Sequence, residues 1–259
     1  MDATGKGVVI TGAGHGIGRA LAHRFAAEGA QVVVNDVDAG AASAVASEVD
    51  GYAAPGDAAS DDGVGVLIDA ARDHLGTIDV YCANAGVDVG AGLDAPESDW
   101  AKAIEVNTMA HVRAARRLVP AWLDAEGGTF VVTASAAGLL TMLGSPTYSV
   151  TKHAAVAFAE WLSVTYGHRG VTVHCVCPQG VQTRMLDNAG PLKDLLSHDT
   201  ALTPEQVAES VWQGMADGSF LVLPHPEVAE YYAYRAAKPD KWQVAMRKLQ
   251  QRLDEGGAR

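Results

Sequence analysis

Seven short apolar runs recur along this chain, separated by longer stretches with helical spacing. GVVIT (7–11), QVVVND (31–36), GYAAPGD (51–57), DVYCANAG (79–86), GGTFVVTAS (127–135), GVTVHCVCP (170–178) and FLVLPHP (220–226) read as strands. Between them, Ile17, Leu21 and Phe25 recur four apart, with Gly29 closing that helix. An alanine-rich helical run reaches about Glu48, and DDGVGVLIDAARDHLG, about Trp100 to Leu123 and about Tyr148 to Tyr166 supply further helices. Strands that are apolar throughout must be covered on both faces, so the alternation predicts a parallel sheet with helices on either side. Right-handed crossovers then make it a doubly wound α/β fold of the Rossmann type, with seven strands and a ligand crevice beyond their carboxyl ends.

The 259 residues, 48% hydrophobic, are enough for one large core, and no linker or repeat divides them, so residues 1–259 are expected to form a single domain. A net charge of −12 argues against a nucleic-acid partner. No uncharged apolar stretch approaches the roughly 18 residues of a membrane span, and the first strand begins too early to leave room for a signal peptide. Cys82, Cys175 and Cys177 are an odd set that suggests no disulfide framework, which points to a reducing cytoplasm. No metal is expected either. On a strand, His174 faces away from Cys175 and Cys177, so HCVC (174–177) reads as buried strand and not as a ligand set.

Where the first strand meets the first helix, the chain reads TGAGHGIG, with Gly12, Gly14, Gly16 and Gly18 at alternate positions. Glycine costs about 1 kcal/mol against alanine inside a helix, so the run needs a reason. A helix N-terminus presents free N–H groups and a positive dipole end, and bare backbone lets a pyrophosphate approach them. A merely tight turn would explain one glycine more easily than four. The GxGxxG spacing does not fit, because Ile17 and Arg19 fall where a third glycine is needed; the pattern is Gly12-x-x-x-Gly16-x-Gly18 after Thr11. Asp36 follows at the end of the second strand, about 20 positions on, where a carboxylate holds an adenosine ribose and repels a 2′-phosphate. Taken alone it is an ordinary strand-end acid; after this loop it predicts NAD in preference to NADP. His15, a neutral imidazole where a basic residue would favour NADP, is a weak counter-signal.

These residues resemble the short-chain dehydrogenase/reductase family, in its compact single-domain branch, and the resemblance runs from about Gly5 to Leu223 with the motifs in order. It implies a cofactor loop at Gly12, Gly14, His15, Gly16, Ile17 and Gly18, and an adenine contact at Asp57 and Ala58. Asn84, Ala85 and Gly86 resemble the segment that supports the central strand beside the cofactor. CPQGVQT resembles the proline-glycine segment, which brings Pro178, Gly180, Val181 and Thr183 to the cofactor, with Thr183 at the nicotinamide carboxamide. Asn107, Ser135, Tyr148 and Lys152 resemble the catalytic tetrad. In it the tyrosine moves the proton, the serine holds the substrate oxygen, the lysine also grips the nicotinamide ribose, and the asparagine holds a water that links the lysine to solvent.

The Tyr-x-x-x-Lys spacing occurs twice, at Tyr148 and Lys152 and again at Tyr234 and Lys238. Only the first has a serine thirteen residues earlier at the end of an apolar strand; the second lies in the tail, beside Pro239. The chemistry of the first pair also makes sense without the family. Oxidising a secondary alcohol needs a base for the hydroxyl proton. A phenol of pKa about 10 is a poor one, and an ammonium one helical turn away is expected to draw it down.

Two regions depart from the family pattern. Gln179 stands between the proline and the glycine of CPQG, bordering nicotinamide and substrate. Beyond the last strand a tail of about 224–259 continues, rich in Tyr231, Tyr232, Tyr234 and Trp242; it packs on its own subunit, makes an oligomer contact or covers a neighbour's cleft. The substrate loop is expected at about 185–203, where Met185, Leu186, Leu192, Leu195 and Leu196 are apolar, and Leu139, Leu140 and Met142 follow Ser135. With Ser135, Tyr148, Gln179 and Met185 as substrate contacts, a hydrophobic alcohol or ketone of steroid-like, alicyclic or aryl type is expected. The chain is thus expected to be an NAD-dependent, cytoplasmic homo-oligomer, a dimer or a tetramer. An NADPH-dependent carbonyl reductase and a non-catalytic dinucleotide sensor on the same fold are the alternatives.

Overall fold

A computed structural model of the chain describes residues 2–125, 127–187 and 201–256. Strands β1 (Gly7–Ile10), β2 (Gln31–Val34), β3 (Tyr52–Ala53), β4 (Val80–Ala83), β5 (Gly128–Thr133), β6 (Val171–Val176) and β7 (Leu221–Val222) form one sheet in the order β3-β2-β1-β4-β5-β6-β7. Every neighbouring pair is parallel. The expected doubly wound sheet of seven strands is therefore present, with β3 and β7 cut to two residues each.

Helices α1 (Gly16–Ala27), α2 (Ala39–Glu48) and α8 (Pro204–Ala216) cover one face, and α3 (Asp61–Leu75), α5 (Ala110–Asp124) and α6 (Pro146–Tyr166) the other. The strands explain why both faces need cover. In β1, Val8 and Ile10 pack with Leu21 and Phe25 of α1, while Val9 packs with Leu67 and Ile68 of α3. In β6, Val176 belongs to the first core and Cys175 and Cys177 to the second. His174 bonds through Nδ1 to the Ser219 carbonyl at 2.6 Å, so it does not converge with the cysteines.

The helix expected from Trp100 to Leu123 is broken into α4 (Glu97–Ile104), a π turn (Glu105–Met109) and α5. A π turn inserts one extra residue into the helical ladder, a change that hydrophobic periodicity does not reveal. Asn107 sits at its centre. The remaining described helices are α7 (Arg184–Asp187), α9 (Glu227–Ala237) and α10 (Pro239–Gly256). Among the described residues, no helix is long and apolar enough to cross a membrane. The chain winds outward from β1 to β3 and then returns to β4 on the other side of β1, which opens a crevice above the ends of β1 and β4.

Candidate active site

The end of β1 is tied to the end of β4 by Thr11. Its Oγ1 accepts from the N–H groups of Asn84 and Ala85, both at 3.0 Å, and the Asn84 side chain donates to the Thr11 carbonyl at 3.0 Å. Asn84, Ala85 and Gly86 thereby line the crevice mouth beside the glycine loop. The four glycines divide by role. Gly12 and Gly16 border the open cavity, both with positive φ (62° and 52°). Gly14 and Gly18 lie behind it. A Cβ on Gly18 would stand 2.3 Å from the Gly12 carbonyl oxygen, and one on Gly14 2.8 Å from Asp36 Oδ2. Gly12 too has the protein's own backbone close by: a Cβ there would stand 2.9 Å from Ala85 Cα.

Asp36 accepts from Gly14 N–H at 2.9 Å through Oδ2 and from Asp38 N–H at 3.0 Å through Oδ1. An ionised carboxylate offers about four acceptor positions, so two remain, and Asp36 lines the cavity. Helices α2 and α3 have side-chain caps from Asp38 and Ser60, whereas α1, whose N-cap is His15, has none. His15, Gly16 and Ile17, at its start, line the cavity. These features fit a dinucleotide: an uncapped helix end for its phosphates and a carboxylate with two free acceptor positions for a ribose. Asp57 and Ala58 line the same end. Burial of the Asp57 carboxyl opposes ionisation, but the Ala59 and Ser60 N–H groups outweigh it and hold its pKa below the usual value.

At the far end of the cavity stand Ser135, at the end of β5, and Tyr148 and Lys152 in the first turns of α6. Lys152 is buried, donates from Nζ to the Thr133 carbonyl at 2.8 Å, and lies 5.6 Å from the centroid of the Tyr148 ring. Burial pulls its pKa down to about 8. Ser135 Oγ accepts from Ala137 N–H at 3.1 Å. For Tyr148 the sequence expectation is reversed: burial pushes the phenol up to about 12, and the Ser135 hydrogen bond only partly opposes this. The ammonium one turn away is itself desolvated, so proximity alone does not depress the tyrosine. The second Tyr-Lys pair has a similar spacing, with Lys238 Nζ 6.0 Å from the Tyr234 ring centroid, although Lys238 lies just past the end of its helix. Yet Tyr234 is 41% exposed and outside the cavity, whereas Tyr148 is 8% exposed and lines it.

Asn107 is fully buried and does not line the cavity. Its side chain accepts from Val87 N–H at 2.8 Å and donates to the Val87 carbonyl at 2.8 Å and to Thr151 Oγ1 at 3.0 Å. A Cβ on Gly86 would come within 3.3 Å of both Asn107 Oδ1 and Lys152 Nζ, so the two side chains are near neighbours. Pro178, Gln179, Gly180, Val181 and Thr183 line the cavity between the glycine loop and Ser135. Thr183 lies against Gly16: a Cβ there would sit 3.1 Å from its Cγ2. Met185 and Leu186 also line the cavity, as do Leu140 and Met142, but Leu139 is turned into the core. Leu192, Leu195 and Leu196 lie outside the described residues.

The cavity measures about 1280 Å³, above the roughly 300–1,000 Å³ of a pocket for one small ligand. Its outer wall is the C-terminal tail of the same chain. Trp242, Met246 and Leu249 recur at i, i+4 and i+7 on α10 and face the cavity, joined by Tyr231 of α9. Arg235 anchors α9 by donating to the Leu139 carbonyl. Within the single chain described, the tail borders its own cavity. The aromatic content of the tail was visible in the sequence, but its destination was not. Arg19, Lys102 and Arg252 also border the cavity without a signal in the sequence; Arg19 is paired with Glu48 at 2.9 Å.

The chain matches the short chain dehydrogenase family model over residues 6–193. It is 36% identical over 231 residues to 1-deoxy-11-beta-hydroxypentalenate dehydrogenase of Streptomyces exfoliatus, which covers 86% of this chain and 84% of that protein. Among solved structures, a short chain dehydrogenase/reductase from Burkholderia phymatum in complex with NAD aligns with a TM-score of 0.86 at 29% identity, over 93% of this chain and 96% of that one. A 7 alpha-hydroxysteroid dehydrogenase complexed with NADH and 7-oxo glycochenodeoxycholic acid aligns with a TM-score of 0.79 at 26% identity, over 86% and 93%.

Proposed function

This chain belongs to the short-chain dehydrogenase/reductase family, and from that premise we propose that it interconverts a secondary alcohol and a ketone on a hydrophobic substrate, with NAD as cofactor. One observation carries the reading. A single cavity joins Asp36 and the uncapped start of α1 at one end to Ser135, Tyr148 and Lys152 at the other, under an apolar wall from α10.

In this reading the α1 N–H groups hold the pyrophosphate, and Asp36 accepts from both adenosine ribose hydroxyls with its two free acceptor positions. Asp57 and Ala58 flank the adenine side, and Asn84–Gly86 support the central strand beside the cofactor. Lys152 holds the nicotinamide ribose, and Thr183, with the segment from Pro178 to Val181, holds the carboxamide. When bound, NAD would supply the acceptor for a hydride from the carbinol carbon, and NADH the donor for the ketone. The proton moves at Tyr148 Oη, while Ser135 Oγ, oriented by Ala137 N–H, holds the substrate oxygen beside it. A phenol at about 12 is protonated at neutral pH, ready to donate in the ketone direction. In the alcohol direction it needs the positive charges of Lys152 and the oxidised nicotinamide close by. Asn107 fastens the strand end at Val87 against α6 and so keeps Lys152 in register.

Two relatives whose names denote a hydroxypentalenate and a hydroxysteroid support an alicyclic substrate. Trp242, Met246 and Leu249, with Met142, Met185 and Gln179, would contact it. Val150, Trp161 and Val164 lie on one face of α6 and are 52%, 54% and 78% exposed, which supports a homo-oligomer, a dimer or a tetramer; the free Cys82, Cys175 and Cys177 support a cytoplasmic location. The test is a screen of cyclic secondary alcohols with NAD and NADP, followed by the absorbance of reduced nicotinamide. Turnover with NAD supports the proposal. NADH binding without turnover across the screen would replace it with a dinucleotide sensor.

A further inference from the structure

Gln179 interrupts the proline-glycine segment at the point where the cavity passes from cofactor to substrate, and the group that governs its backbone comes from a distant part of the chain. His225 is buried, with 2% of its surface exposed. Its Nδ1 accepts from the Gln179 N–H at 3.1 Å, and its Nε2 bonds to the Gly180 carbonyl oxygen at 3.1 Å. A main-chain N–H on one ring nitrogen and a carbonyl on the other allow only one state of the imidazole. Nδ1 must be bare and Nε2 must carry the proton, because a carbonyl cannot donate.

The ring is preorganised for this. It lies between Pro224 and Pro226, so neither neighbour has an N–H to satisfy, and the residue before a proline is confined to extended conformations. The His225 carbonyl in turn accepts from Val228 N–H at 3.1 Å, at the start of α9. On the opposite side, the Pro178 carbonyl accepts from Ala136 N–H at 2.8 Å, beside Ser135. The segment is therefore held from both sides, by the loop after the catalytic serine and by His225.

We propose that His225 is a positioning residue: as a neutral Nε2–H imidazole it sets the backbone of residues 178–181 in the form that receives the nicotinamide end of the cofactor. It touches neither cofactor nor substrate and acts through Gln179 and Gly180. The inference rests on the function proposed above, and it ties the C-terminal segment, which also walls the cavity, to the cofactor site.

Three variants and one spectroscopic measurement test it. His225→Leu removes both bonds. His225→Asn keeps an acceptor near the place of Nδ1, and His225→Gln keeps a donor near that of Nε2. NADH affinity, read by fluorescence titration on folded protein, is expected to fall about tenfold in His225→Leu and less in the two amides, since each restores one of two main-chain bonds. Affinities equal to wild type in all three, with only melting temperatures lowered, would make His225 a structural residue and overturn the proposal. So would amides no better than leucine. The ¹⁵N spectrum of the wild-type ring is a separate check that needs no variant to fold: the Nε2–H tautomer is expected, and the Nδ1–H tautomer or an imidazolium at neutral pH overturns the assignment. Wild type that binds neither NADH nor NADPH, yet shows the Nε2–H tautomer, would instead overturn the proposed function.

Discussion

Replacing Lys152 by methionine should abolish turnover and yet stabilise the protein more at neutral than at alkaline pH. Lys152 is 3% exposed, and its one hydrogen bond shown is to the Thr133 carbonyl. Burial lowers its pKa from 10.5 to about 8. The folded-state value lies below the unfolded one, so between these values the unfolded chain binds more protons and wild-type stability rises with pH. At pH 7 the group is charged in both states and the full cost of burying it is present, about 3 kcal/mol at roughly 1.4 kcal/mol per unit. At pH 9.5 the folded form has largely shed its proton and roughly 2 kcal/mol of that cost is gone. Lys152→Met has no such dependence. The methionine cannot replace the hydrogen bond to Thr133, so the absolute difference from wild type is harder to read than its change with pH. Urea melts of both proteins at pH 7 and pH 9.5, followed by tryptophan fluorescence, should show the stability gap moving by about 2 kcal/mol in favour of wild type at the higher pH. A gap that stays constant within about 0.5 kcal/mol, or moves the other way, would refute the idea that the active site carries a buried, costly cation.

Tyr148→Phe should abolish turnover while NADH still binds, whereas Tyr234→Phe should leave the rate nearly unchanged; equal losses in both, with folds intact, would place the proton elsewhere. Wild type should prefer NAD over NADP by at least about a hundredfold in kcat/KM, roughly 2.7 kcal/mol, because a 2′-phosphate would face the Asp36 carboxylate. Asp36→Ala with Val37→Arg should shrink that ratio sharply, and equal kcat/KM for both cofactors in wild type would sink the claim. Trp242→Ala should raise KM for a hydrophobic alcohol severalfold, the loss of a large apolar contact, and leave the NADH dissociation constant unchanged; a change in NADH affinity alone would move the α10 wall to the cofactor.

The sequence alone determined the parts of this protein that depend on short-range rules. Strands apolar on both faces require a sheet covered on both sides, and helix-length stretches between them make it parallel, which the seven strands show. Four alternate glycines at a strand-to-helix junction, with Asp36 one strand later, mark from local geometry the turn that borders the cavity. Tyr148 was separated from Tyr234 by a serine thirteen residues upstream, although the two lysines lie at similar distances, 5.6 and 6.0 Å, from their tyrosine rings. Tertiary structure decided whatever depends on burial or on meetings between distant segments. Spacing suggested that Lys152 would lower the tyrosine pKa, but burial of the phenol raises it, and no local pattern encodes burial. The π turn at Asn107 leaves the hydrophobic period almost undisturbed, so periodicity could not reveal it. The Gln179 N–H and the Gly180 carbonyl both meet His225, 46 and 45 positions along the chain. The tail's choice of its own cavity was likewise made only when α9 and α10 folded back over it, since an amphipathic helix specifies that it has an apolar face but not what will cover it.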